Sequence, residues 1–397
     1  MIGLKPKGGF KEGPLTQHQG IFRREINLFE AVALIVSTTI GAGVLGLPFA
    51  VAQVGLFLGT LCIVALGFLM MGLNILIGEV SASLNNPLQL PGLAKKYLGK
   101  PGEMIMTFVL YVTLFGVLVV YIIGEGETLS ALFGGNPFAW SLSFFLVSIV
   151  LIFLGIRTVK KTEFFLTFAL LVVIIIILLW SLPHVRFFNI KHFDFARLLL
   201  PYGVILFAFH GTTAVPEAHS LLLRRKSAFR KAIFISGLIT TAVYVLFAFS
   251  VVGVTGLETT EIATIGLGNT LGPVMFFFGN IFAALAMGTS FIMVGLSLRD
   301  SMNWDFKLGP LISNIFVAMI PLSAFLLGLR GFIEVIDVIG GVFISIEMFI
   351  IMLIYIRAKQ RGDLGIRGGW LAHSSLFMWI FALALFVGIL YSVSKQF

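Results

Sequence analysis

One cysteine in 397 residues, Cys62, leaves no partner for an internal disulfide and little scope for thiol redox chemistry. Charge is scarce too: 11% of residues are charged, against roughly 25% in soluble domains. No polar stretch is long enough for a soluble catalytic or nucleotide-binding domain. The longest pieces between apolar runs are residues 1–27, 84–102 and 256–272. No Gly-x-x-x-x-Gly-Lys-Ser/Thr loop occurs, which excludes an integral ATP motor and a nucleotide partner of that kind. No His-Glu-x-x-His or comparable catalytic cluster occurs either, so an intramembrane enzyme is not expected. Residues 1–27 are polar and basic and lead straight into an apolar run, so no cleavable signal peptide is expected.

What is abundant is apolar surface. Hydrophobic residues make up 58% of the chain and the mean hydropathy is +1.06. A core of ordinary size cannot bury that much, so much of it must face a lipid bilayer. Eleven runs reach the ~20 residues that a helix needs to cross ~30 Å of hydrocarbon. They fall near residues 28–53, 56–83, 103–132, 138–156, 162–182, 198–222, 230–255, 273–298, 309–329, 332–356 and 371–393. The formal charge of +9 follows from topology rather than from nucleic-acid binding. With the N-terminus inside, 22 of the 27 Lys and Arg residues lie on the cytoplasmic side. Only Arg186, Lys191, Arg197, Arg330 and Lys395 are left outside, the bias that membrane insertion imposes. The expectation is an all-α, multi-pass protein of the cell membrane, N-terminus cytoplasmic and C-terminus external, working as a monomer.

Two spans carry interruptions. Span 1 holds Ser37-Thr38-Thr39-Ile40-Gly41-Ala42-Gly43 and then Pro48; span 6 holds Phe207-Ala208-Phe209-His210-Gly211 and then Pro216. Glycine and proline at mid-bilayer depth disfavour an unbroken helix, and the freed backbone groups must then face protein or a cavity. Close helix packing is the plain alternative for the glycines. Two interruptions five spans apart instead suggest an inverted repeat with a binding site at the midplane.

These residues resemble those of the hydroxy and aromatic amino acid permeases, in the amino acid, polyamine and organocation superfamily. The resemblance rests on Thr38 to Leu45, Gly92 to Gly99, Tyr121 to Glu127, Phe207 to Gly211, Ala286 to Phe291 and Arg330 to Phe332, in that order. It implies a five-plus-five inverted repeat of the leucine-transporter type, with discontinuous helices 1 and 6. The arm 1–27 would be cytoplasmic, 28–182 the first repeat, 198–356 the second, and 371–393 a peripheral helix. It further implies a secondary transporter that imports a neutral or aromatic amino acid with a cation. A membrane sensor that binds an amino acid without net transport is the alternative.

A zwitterionic substrate needs partners for both charges in a low-dielectric site. The helix starting near Gly43 offers N–H groups and a positive dipole end to the carboxylate, with Gly41, Ala42 and Gly43 allowing close approach. By the resemblance, carbonyls near Phe207, Ala208 and His210 would take the ammonium, and Phe207 would be an aromatic gate. Ser37, Ile40, Thr289 and Ser290 would supply oxygens to sodium, the hard cation such ligands suit. Membrane Thr and Ser also commonly bond back to their own helix. A proton is the other coupling ion, with His210 and Glu127 as candidate relays. The lysine that some proton-coupled relatives carry in span 5 is Leu170 here. The reading favours sodium. Glu125 stands where a small residue is expected, and it receives no role.

Overall fold

The computed structural model describes residues 27–84, 88–154, 159–222, 226–305, 307–364 and 375–395. Most of the N-terminal arm, residues 1–26, lies outside them, as do Arg224, Arg225 and Arg367. Among the described residues there is no strand, and each of the eleven expected spans falls on helix. Span 1 is a pair, α1 (Leu28–Thr39) and α2 (Gly43–Val54), bent by 61° at the three residues between them. Spans 2 to 5 are α3 (Leu56–Ser83), α4 (Leu90–Phe133), α5 (Pro137–Leu154) and α6 (Val159–Ser181). Span 6 is a second pair, α7 (Tyr202–Ala208) and α8 (Ala214–Leu221). Span 7 is α9 (Lys226–Thr255); a short α10 (Ala263–Leu271) follows in the loop, then span 8 as α11 (Pro273–Asp305) and span 9 as α12 (Pro310–Leu326). Span 10 runs from α13 (Phe332–Val338) through a π-helical segment, Ile339–Ile344, into α14 (Ser345–Gln360). Span 11 is α15 (Ser375–Ser394). Six single helices, and the bent α1–α2 pair, are long and apolar enough to cross a membrane.

Local chemistry accounts for the boundaries. Asn27 opens α1 with a capping box: its side chain accepts from the Glu30 N–H at 2.8 Å while Glu30 accepts from the Asn27 N–H at 2.9 Å. Residues 90–102, expected as loop, are helical. Helix α4 begins at Leu90 and is kinked at Gly99, whose φ of +79° only glycine adopts freely, and Pro101 follows where no N–H donor is needed. Neither break sits at a proline. Pro48 lies well inside α2 and Pro216 in the first turn of α8, whereas the non-helical residues are Ile40 to Ala42 and Phe209 to Thr213.

The broken helices form the interior. Helices α2 and α7 are buried at almost every position and pack on each other, with α3, α9 and span 10 around them. Large apolar side chains such as Phe68, Phe108, Leu146, Phe277, Phe316 and Trp379 point outward from the surrounding helices. That apolar exterior is what a bilayer covers.

Candidate functional site

The two breaks interlock. A Cβ on Gly43 would lie 2.7 Å from Ala208 Cα and 3.0 Å from Phe207 Cδ1, so the start of α2 rests on the end of α7. In the other direction, Gly211 lies directly on Thr39, with the site of its missing Cβ 3.0 Å from Thr39 Cα. Each break therefore places a glycine against the backbone of its counterpart. Gly41 differs: its Cβ would meet only the Tyr121 hydroxyl, at an ordinary 3.4 Å. The second half of the site thus comes from α4.

Backbone groups are exposed where the sequence places them. Ile40 is extended (φ −83°, ψ 93°). Val44 N–H then turns back to Gly41 O at 3.3 Å and Leu45 N–H to Ala42 O at 3.0 Å. The N–H groups of Gly41 and Ala42 precede α2 with no hydrogen-bond partner among the described residues, and Gly43 opens the helix. In span 6, Phe207 O accepts from His210 N–H at 3.1 Å and Ala208 O accepts from the Tyr244 hydroxyl at 2.5 Å. His210 O has no donor among the described residues. Phe207 O also faces the Phe209 N–H, and a carbonyl has two lone pairs, so capacity for an ammonium is left at Ala208 O and most of all at His210 O.

Tyr244 of α9 is the principal residue that sequence reasoning missed. It is fully buried, and its hydroxyl also reaches Thr39 O at 3.2 Å, so one side chain bridges the carbonyl ends of α1 and α7. Phe209 packs edge-on against its ring at 4.8 Å. The only sequence signal is a lone tyrosine in the middle of an otherwise apolar and small-residue span.

His210 is held by an acid. Its Nε2 lies 2.9 Å from Glu347 Oε2 on α14, with Glu347 fully buried and His210 nearly so. Glu347 Oε1 has no partner among the described residues. Tyr202 and Ser345, hydroxyl to hydroxyl at 2.8 Å, tie α7 to the same first turn of α14. Between them, α7 lies backbone to backbone on span 10. A Cβ on Gly340 would fall within 2.9 Å of Phe207 N, and one on Gly203 within 3.0 Å of Gly341 N. Larger residues at 203 or 340 would part the two elements.

The oxygens considered for sodium are the span 1 carbonyls at Ser37 and Ile40 and the hydroxyls of Thr289 and Ser290. The Thr289 hydroxyl donates to Leu285 O at 2.8 Å and Ala286 O at 3.2 Å on its own helix. Ser290 is partly exposed and Ile40 buried. Glu127 lies half-buried on α4 near Glu261, and Glu261 accepts from Ile333 N–H at 3.2 Å.

Residues 24–391 match the tryptophan/tyrosine permease family. Glutamine transporter 2 of Aliivibrio fischeri is 24% identical over 355 residues, covering 84% of this chain and 90% of the relative. Tyrosine-specific transport system 2 of Haemophilus influenzae is 29% identical over 342 residues, covering 79% and 83%. Among solved structures, MhsT in complex with L-phenylalanine superimposes with a TM-score of 0.68 at 16% identity, over 91% of this chain and 98% of that one. At that identity the likeness speaks for the fold, a leucine-transporter-type membrane fold with helices 1 and 6 interrupted.

Proposed function

The chain belongs to the tryptophan/tyrosine permease family, and on that premise we propose that it is a secondary active transporter importing a neutral or aromatic L-amino acid by alternating access, in symport with a cation. The observation that carries this reading is the interlocked pair of breaks. Unpartnered N–H groups at Gly41 and Ala42 lead into Gly43, which packs on Phe207 and Ala208 where span 6 breaks. Donors at a helix start suit a carboxylate, and free carbonyls at a helix end suit an ammonium. An α-amino acid carries both charges one carbon apart. Phe207, buried beside Gly43, would cover the substrate as a gate.

In this reading residues 28–182 and 198–356 are the two repeats, 371–393 is peripheral, and the monomer is the working unit of the cell membrane. The relatives' names support an amino acid substrate and differ on which one, since one is named for glutamine and another for tyrosine. The cation is sodium, with Ser37, Ile40, Thr289 and Ser290 as ligands, or a proton relayed by His210 and Glu127. Thermal-shift binding of the twenty amino acids, with and without sodium, identifies the ligand. Counterflow of that ligand in proteoliposomes then tests transport. Binding without counterflow would overturn the transporter reading in favour of a sensor.

A further inference from the structure

Glu125 is a buried acid that no role above employs. It stands on α4 one helical turn from Tyr121 and is 2% exposed. Its carboxyl lies against the main chain of Gly288 on α11, where a Cβ would come within 3.0 Å of Oε1. Glycine at 288 therefore makes the space that the carboxyl fills. The backbone N–H of Gly288 is the one donor beside the carboxyl, Oε1 makes no hydrogen bond of good geometry, and no ion pair reaches Glu125 among the described residues.

The surrounding elements offer it no cation. Helices α5 and α12 carry no titratable side chain, and α11 carries none before Arg299. Arg299 is eleven residues, or about 16 Å, along that helix from Gly288. On α13, Asp337 is paired with Lys395 at 2.7 Å, and Glu334 is folded onto Gly331. On α14, Glu347 is taken by His210, and Arg357 and Lys359 lie at the far end. Arg330 sits over the rings of Phe138 and Phe325. The nearest ionisable group on α4 is Glu127, another acid, facing Glu261.

A carboxylate at membrane depth without a partner is costly, and such groups mark ion pathways. Sodium requires several oxygens at once. Here the carboxyl meets the main chain of Gly288, Phe144 lies beside that glycine, and the Thr289 hydroxyl is turned to its own helix. A proton requires no further ligand. We propose that Glu125 is the proton-binding site of the transport cycle, neutral while the seam between α4 and α11 is closed and losing its proton to water when that seam opens inward. The proton enters with substrate from outside, converts the carboxylate to the acid, and leaves to the cytoplasm with the carboxylate restored. Glu127 and Glu261, nearer the outer end of α4, would lead it in. This rests on the transporter reading and specifies its ion.

The test uses proteoliposomes containing the full chain, a trapped pH dye, and radiolabelled L-tyrosine, L-tryptophan and L-glutamine as probes, in sodium-free buffer. With one proton per substrate, a gradient of one pH unit drives about 10-fold accumulation in the wild type. Glu125→Gln keeps the shape of the neutral acid. The expected result is counterflow within about two-fold of wild type, accumulation down to about one-fold, and loss of the substrate-driven proton signal. Glu125→Ala, checked for an unchanged thermal midpoint, should behave in the same way. Wild-type accumulation and proton flux in a folded Glu125→Gln protein would overturn the assignment. So would wild-type uptake driven by sodium without any proton signal. Loss of counterflow in the wild type itself would instead overturn the transporter reading, and the assignment with it.

Discussion

Gly43 and Gly41 are two residues apart, yet the structure separates their fates on substitution. Carbon atoms in contact sit about 3.5–4.0 Å apart. A Cβ on Gly43 would stand 2.7 Å from Ala208 Cα, which is backbone and cannot rotate aside. Gly43→Ala must therefore push α2 and α7 apart by about 0.8–1.3 Å, or displace both breaks together. Overpacking of this kind costs about 1–3 kcal/mol. Much of that cost should fall on the ligand, because the strained atoms adjoin the N–H donors and the span 6 carbonyls. At about 1.4 kcal/mol per tenfold, affinity should fall roughly 5- to 150-fold, with Gly43→Val at or beyond the upper end. Gly41→Ala meets only the Tyr121 hydroxyl at 3.4 Å and should stay within about threefold of wild type, a shift of under about 1 kcal/mol. Titration of the identified amino acid against both purified variants in lipid nanodiscs measures the difference, with thermal midpoints recorded beside it. If Gly43→Ala binds within twofold of wild type while Gly41→Ala does not, the interlock does not set the site.

Three further predictions concern the surroundings. Tyr244→Phe removes the one donor shared by Thr39 O and Ala208 O and should destabilise the fold by about 1–3 kcal/mol in denaturant melts; an unchanged midpoint would show that the bridge carries no energy. His210→Ala leaves Glu347 buried without its partner and should cost about 3–5 kcal/mol, with the His210→Ala, Glu347→Gln pair recovering a good part of it; a double variant no more stable than the single would refute the pairing. In a Cys62→Ser background, a membrane-impermeant maleimide applied to intact cells should label Phe397→Cys and spare Lys226→Cys, as the 22-to-5 split of basic residues requires.

The order and approximate placement of the helices were legible because each depends on the local run of apolar residues and on nothing remote. The positions of the two breaks along the chain were legible for the same reason. Their cause was less so. Pro48 and Pro216 carry as strong a breaking signal as the glycines, yet both sit in helix. Pro216 lies in a first turn, where no donor is called for. The non-helical residues at Gly41 and Gly211 follow instead from packing, since Gly211 lies on Thr39 and Gly43 on Ala208. The helical stretch before Gly99 was read as loop because lysines and Tyr97 interrupt its apolar pattern. The chain there packs Leu90, Leu93, Ala94 and Tyr97 inward at helical spacing.

The site itself divides along the same line. Where the proposed site rests on backbone, as at Gly41, Ala42 and Gly43, the sequence reports the break, because only small residues permit close approach. Where it rests on which side chain meets which, the sequence is silent. His210 could be placed in the interior but not against Glu347, 137 residues away, and Tyr244 gave no sign of reaching two breaks at once. Glu125 shows the case in reverse. It looked out of place because a small residue was expected there, and the missing volume is found at Gly288, on another helix. The missing side chain at 288 makes room in the seam for the ionisable group at 125. Swapping the two, with Glu125→Gly and Gly288→Glu together, should therefore fold better than Gly288→Glu alone, which would set two carboxyls in the same space. Thermal midpoints of the two proteins decide whether the volumes are coupled; equal midpoints would mean that they are not.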